Sequence, residues 1–499
     1  MLDFLIKGVR IIDGNPNKSY IGDIGILEDK IITKELNNVK YKELIDGSGK
    51  IICPGFIDVH SHDDFKVVTD KRILHNLCQG ITTMIVGNCG FGVSPYLSAK
   101  EQMSSLYKVS KLDDVWNNFS EYFDLLDRYP TSINVGVLIG HHTIRRNSLN
   151  LMDKIYPTED ELKKMINLVE EGMEAGCLGF STGLVYEPGR NSKTEEIIEI
   201  TKPIKKYEGV YVSHMRNEAE GLFDSINETA NIGINNQLKV EISHLKSVGK
   251  DNWGKSEKAL SMIDNFSEKG LDIHADQYPY TARSTMLKAL LLNGTFDDSN
   301  TNSPMGKSES KDVLLCSVPG DKSIEGKTLE DIQEIYDLPT EETVKKLLSE
   351  ISDKILVAAF GMNENDVRNI MKHPRVMIGT DGIDVGSKPH PRAWGTYPRI
   401  FDEYVKNKKI LNFEEAIYKM TKMPAKKFNI KSRGEIKENY YADLVIFDPE
   451  KIKDNSSFTD PKKTPTGIEY IFVNGKKAME HNKETKVFSG KTIKNNWGK

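Results

Sequence analysis

Between residues 53 and 429 short apolar runs alternate with amphipathic stretches, and nearly every apolar run exits on a polar or glycine residue. The exits fall near His62, Gly87, Gly140, Gly183, Met215, His244, Tyr280 and Gly382. Eight strand-like runs joined by helix-like ones are what a closed parallel barrel requires. An open doubly wound sheet also alternates, but it gives no reason for polar residues to gather at strand ends. The intervening stretches read as helices where the pattern is sharpest. After Pro157, Thr158 and Glu161 make a capping-box pattern, and Leu162, Met165, Ile166, Val169 and Met173 recur at helical spacing until Gly176.

The two ends of the chain read differently. Residues 4–7, 9–12, 23–26 and 30–32 are β-rich runs punctuated by Gly, Asn and Pro. Residues 443–447 and 468–473 are similar, and Asn474-Gly475 is a strong hairpin signal. A chain of 499 residues exceeds one ordinary core. We therefore expect an α/β fold: a (β/α)₈ TIM-type barrel over 53–429, with a small β-sandwich domain assembled from 1–52 and 430–499. One stretch breaks the rhythm. Residues 293–353, rich in Ser, Asp, Asn and Lys, fall between the seventh and eighth strands, on the face where barrels carry active sites. They read as a surface excursion or as a lid over the site.

Composition excludes some partners. Lys and Arg number 68 against 73 Asp and Glu, and neither sign is clustered, so nothing favours nucleic acid or an anionic membrane. No run approaches the roughly twenty apolar residues of a membrane span, and Met1-Leu2-Asp3-Phe4 lacks a basic leader. Five cysteines without a Cys-x-x-Cys pair suggest reduced thiols and a cytoplasmic setting.

The chemistry gathers at the strand exits. In 54–64, His60 and His62 share a face because the strand period is two, and two imidazoles at a strand end can share a divalent metal. Cys89, between Asn88 and Gly90, ends the second strand and can bind zinc as a thiolate or pack as a small hydrophobe. Cys53, Cys78, Cys177 and Cys316, before strands, in helices or in loops, take the hydrophobic reading. His214 and His244 each follow a serine at the exit of successive strands. Singly, either is as readily core as ligand; with His60, His62 and Cys89 they make a metal constellation. Asp381, before Gly382, either caps the next turn or moves a proton between water and a leaving amine.

Together these residues resemble the amidohydrolase superfamily. Residues 87–90, 181–186, 213–216, 243–246, 276–280 and 390–396 resemble the D-aminoacylase (N-acyl-D-amino-acid deacylase) family along essentially the whole chain. The resemblance implies a tight zinc site at Cys89, His214 and His244, a second, weaker site at His60 and His62, and Asp381 as general acid/base. It also implies that Lys246, Tyr278, Ser284 and Arg392 recognise the substrate's α-carboxylate, with Tyr186 near the scissile amide. The implied reaction is zinc-dependent hydrolysis of N-acyl-D-amino acids to a carboxylate and a free D-amino acid. Alternatives are dipeptides with a C-terminal D-residue, cyclic amides, or a non-catalytic binding barrel. Residues 177–183 hold no lysine, where hydantoinases and dihydroorotases carry a carboxylated one on strand four. His142 stands where the pattern has a small residue, so it narrows the pocket or is neutral. Arg283 and Lys288 read as surface charges, with an acidic substrate side chain as the alternative.

Overall fold

A computed structural model of the chain describes residues 1–103, 115–151, 153–297, 299 and 302–495. Eight parallel strands pair in sequence order: β1 (Phe56–Asp58), β2 (Ile81–Val86), β3 (Asn134–Gly140), β4 (Gly179–Gly183), β5 (Val210–His214), β6 (Lys239–Ile242), β7 (Ile273–Gln277) and β8 (Val376–Ile378). The barrel closes where β1 meets β8. Ser61 bridges Gly382, and the Asp381 amide donates to the His60 carbonyl at 2.7 Å. The buried Asp58 carboxylate accepts from the Thr380 amide at 2.9 Å and its hydroxyl at 2.6 Å, fastening the seam.

Regular pairing stops short of several expected exits. β1 ends at Asp58, two residues before His60, and β7 ends at Gln277, before Tyr280. The backbone must leave the sheet there to aim side chains across the mouth. Outside the strands, helix Glu159–Ala175 starts with the Thr158/Glu161 capping box, buries Met165, Val169 and Met173, and ends at Gly176 with φ 121°.

Strands from both termini form one nine-stranded sheet, from Lys483–Glu484 through Lys476–Glu480, Ile468–Val473, Leu444–Phe447, Ile51–Pro54, Leu2–Ile11 and Tyr20–Leu27 to Lys30–Ile32, with Tyr41–Asp46 beside Leu2–Ile11. Its period of two sorts the residues. Ile52, Leu444 and Ile446 pack into the sheet's own core, while Ile51, Cys53, Val445 and Phe447 pack against the barrel. The expected runs 4–7 and 9–12 are a single strand, because Gly8 at φ 65° forms a bulge with a register shift between Ile6 and Val9. Asn474 and Gly475, at φ 49° and 74°, make the expected hairpin turn.

The segment between β7 and β8 is structured. Ala282–Met286 pairs with Leu356–Phe360, which pairs with Val313–Ser317, and helices Leu287–Leu292 and Leu329–Tyr336 cover a separate apolar core. Structure therefore begins at Ala282, ahead of the polar stretch that marks the segment in the sequence; residues 298, 300 and 301 lie outside the described residues. All five cysteines are free and buried; Cys53 and Cys316 sit within strands, not before them or in loops. Among the described residues no helix is long and apolar enough to cross a membrane.

Candidate metal centre and substrate cavity

The loop after β2 sets the position of Cys89. At Gly87, φ 89°, a Cβ would lie 2.2 Å from the Leu138 carbonyl oxygen, so only glycine lets β2 pass β3 this closely. Ser181 on β4 then clamps the loop: its hydroxyl donates to the Gly87 carbonyl and accepts from the Gly90 amide at 3.1 Å. Asn88 donates to the Ile85 carbonyl at 2.9 Å. The thiol is thereby turned into the barrel mouth. Cys89, His244 and Asp381 all have left-handed backbones, φ 54°, 35° and 47°. Such conformations cost about 1–3 kcal/mol each and persist where the surroundings enforce them.

Side chains from five strand exits meet there. His60 Nε2 lies 3.2 Å from Cys89 Sγ, and Cys89 Sγ lies 3.5 Å from His244 Nε2. His244 Nε2 is 2.9 Å from His214 Nδ1. Asp381 Oδ1 faces His62 Nε2 at 3.1 Å and His60 Nε2 at 3.5 Å, while its Oδ2 faces Arg392 Nη1 at 2.8 Å. Donor atoms of His60, Cys89, His244 and Asp381 all fall within 4.8 Å of one another, as do those of His214, Glu218 and His244.

The electrostatics are those of a cation-binding cluster. Burial opposes ionisation of Cys89, but His60, His244 and His214 hold its thiol well below the usual range. Asp381 is likewise held low against burial, by Arg392, His60 and His244. Burial opposes the charge on His60, yet Asp276, Cys89 and Asp381 raise it well above the ordinary imidazole range; His62 is raised to about 9 through Asp381 and Cys89. Cys89 and Asp381 are thus drawn toward their anionic forms and His60 and His62 toward their charged forms, whereas burial and the neighbouring His244 push His214 down. The spacing fits as well. Tetrahedral zinc, with Zn–S ~2.3 Å and Zn–N ~2.0 Å, sets sulfur and nitrogen ~3.5 Å apart and two nitrogens ~3.3 Å apart, against 3.5 Å for Cys89 and His244 and 2.9 Å for His244 and His214.

Two residues to which the sequence assigns no role, Asp276 and Glu218, and one that reads there as a surface charge, Arg283, complete the site. Asp276 accepts from His60 Nδ1 at 3.1 Å and from the His244 amide at 3.0 Å, fixing one ring and one backbone. Glu218, four residues after His214, accepts from Lys246 Nζ at 2.6 Å and faces His244 Nδ1 at 3.1 Å. Arg283 is not a surface charge; it is 3 % exposed.

A cavity of about 40 Å³ opens beside the cluster, lined by His62, Cys89, His214, His244 and Asp381 together with Ser284, Met286 and Met305. Tyr186, Lys246, Tyr278 and Arg283 also line it. At roughly 10–15 Å³ per water it has room for about three. Tyr186 Oη meets Thr285 Oγ1 at 3.1 Å, and its ring lies 4.9 Å from that of His214. The Tyr278 ring carries the Arg392 guanidinium 4.5 Å above it. His142 does not line the cavity: its Nε2 is 2.9 Å from the Gly183 carbonyl, its ring packs on Phe91, and burial beside His141 pushes it down to about 3. Lys288 is exposed.

Parallel barrel, C-terminal mouth and convergent donor cluster define the class, a barrel hydrolase of the amidohydrolase type. The sequence matches the amidohydrolase family model over residues 43–276 and 339–478. It is 31% identical to D-aminoacylase from Alcaligenes xylosoxydans xylosoxydans over 98% of this chain and 97% of that one. N-acyl-D-glutamate deacylase from the same organism is 30% identical over 95% of this chain and 93% of its own. The crystal structure of N-acyl-D-glutamate deacylase from Bordetella bronchiseptica, with zinc and a phosphonate mimic of the tetrahedral intermediate, superposes with TM-score 0.88 at 29% identity, covering 99% of each chain. The chain belongs to the D-aminoacylase branch of the amidohydrolase family.

Proposed function

We propose that this hydrolase cleaves the amide bond of N-acyl-D-amino acids, with a zinc ion as cofactor. The observation that carries the reading is the convergence of thiolate, imidazole and carboxylate donors on a cavity that also presents cations. Cys89, His214 and His244 would hold the ion tightly, and His60 and His62 would offer a second, weaker site. Bound there, zinc supplies Lewis acidity, polarising the acyl carbonyl and acidifying water toward a pKa of ~7. The relatives' names and the zinc in one of their structures support both points.

The chain's own residues do the rest. Asp381, ionised and 3.1 Å from His62, takes the proton of the attacking water at Oδ1 and returns it to the leaving amine nitrogen. Arg392 pairs with Asp381 through Nη1, while its Nε and Nη2 have no hydrogen-bond partner. Those two groups form a fork suited to the substrate's α-carboxylate. The buried Tyr278 hydroxyl, also without a partner, Lys246 and Ser284 would complete that grip, with Tyr186 beside the scissile amide. In this reading 53–429 is the catalytic unit, 1–52 with 430–499 supports it, and the segment within 282–360 walls the cavity.

The test is zinc titration of chelated protein while free D-amino acid is released from N-acetyl-D-methionine. The expected result is recovery that saturates at one zinc per chain. Zinc binding without hydrolysis of any N-acyl-D-amino acid would overturn the reading.

A further inference from the structure

Three cations line or flank the cavity, and two are balanced. Lys246 is 2.6 Å from Glu218 and Arg392 is 2.8 Å from Asp381. Among the described residues the Arg283 side chain makes no ion pair and a single hydrogen bond, from Nη2 to Ser308 Oγ at 3.3 Å, and its Nε and Nη1 have no partner. Burial presses the guanidinium toward its neutral form, and the main opposing charge, Glu218, is already committed to Lys246 and His244. A buried cation left in this condition is costly to the fold unless a ligand completes it. The strand Ala282–Met286 places it well for that. Arg283 shares a strand face with Thr285, which meets Tyr186 at the cavity wall, and both residues line the cavity. Arg283 therefore sits on the inserted wall, whereas Arg392 sits beside Asp381, where the scissile amide must lie.

We propose that Arg283 forms a second carboxylate subsite, so that the preferred substrates are N-acyl-D-amino acids carrying a carboxylate besides the α-carboxylate. The inference rests on the deacylase reading above. The second carboxylate belongs either to the amino-acid side chain or to the far end of the acyl group. Both place a planar anion against an Arg fork, the geometry guanidinium recognises best.

The test compares kcat/KM for N-acetyl-D-aspartate, N-acetyl-D-glutamate, N-succinyl-D-leucine and N-acetyl-D-leucine with zinc-loaded wild type, Arg283→Met and Arg283→Lys. At least one dicarboxylate should exceed N-acetyl-D-leucine by ~10-fold or more in the wild type. The better series tells whether the side chain or the acyl end is held. The dicarboxylate-to-leucine ratio should fall ~10- to 100-fold in Arg283→Met, mainly through KM, and less in Arg283→Lys. A wild type that prefers N-acetyl-D-leucine overturns the proposal without any variant, and leaves the deacylase reading standing. Equal loss on every substrate in Arg283→Met also overturns it, assigning Arg283 to the α-carboxylate. If no substrate turns over, the deacylase reading falls and thermal stabilisation decides the subsite. Saturable stabilisation by a dicarboxylate and not by N-acetyl-D-leucine upholds it; equal stabilisation overturns it.

Discussion

The terminal sheet and the barrel mouth are both buried, but they bury opposite chemistry. In the sheet, Leu444, Val445, Ile446 and Phe447 are fully covered and simply alternate between two apolar cores. At the mouth, Cys89, His60, His62, His214, His244 and Asp381 are covered too, yet three of them stand on left-handed backbones and all carry titratable groups. Burial in the sheet stabilises the fold at roughly 25 cal/mol per Å² of apolar surface. Burial at the mouth works against stability and makes sense as preparation for charged ligands. Substitutions in the two regions should therefore separate activity from stability.

The sharpest separation is at Cys89. Cys89→Ala should lower kcat/KM by at least ~10³-fold, because removing a tight metal ligand forfeits several kcal/mol of Lewis-acid stabilisation. The thermal midpoint of the metal-free protein should barely move. Asp381→Asn should lower kcat by about 10²–10⁴-fold while bound zinc, measured by metal analysis, is kept. Glu218→Gln, which disturbs His244 and Lys246 together, should cost about 10–100-fold in metal affinity or activity. In the sheet the pattern inverts: Leu444→Ala should cost about 2–5 kcal/mol in denaturant unfolding with kcat unchanged. A Leu444→Ala protein that folds as stably as the wild type would break the comparison.

The smallest effect belongs to a helix cap far from either region. Lys154 and the Thr158 amide hold the Glu161 carboxylate at about 2, below its ordinary 4.5. A depressed carboxylate stabilises the fold fully above its unfolded value and loses that contribution as pH falls. The stability gap between wild type and Glu161→Gln should thus be constant above pH 4.5 and close as pH falls toward about 2.

Much of the site is legible in the sequence because barrel strands run apolar until they reach the mouth. The change from apolar to polar therefore marks each exit, as at Ser213-His214 and Ser243-His244. The same signal fails for residues that act from elsewhere. Asp276 lies one residue before the end of β7, and only the fold reveals that it faces His60 and the His244 amide. Glu218 lies in a loop whose i, i+4 relation to His214 carries no strand or helix pattern. Arg283 is misread because it pairs with Ala359 of Leu356–Phe360, a strand 76 residues further along the chain, and is buried there. The three-stranded inserted sheet is hidden for the same reason: Val313–Ser317 and its partners are short runs set in polar sequence, joined only by long-range pairing.

The most direct test of D-specific deacylation offers zinc-loaded protein a panel of N-acetyl-D- and N-acetyl-L-amino acids and measures the free amino acid released. The expected result is release from the D-series alone, abolished in Cys89→Ala. Hydrolysis of the L-series at equal rates, or no turnover of either series with zinc bound, would contradict it.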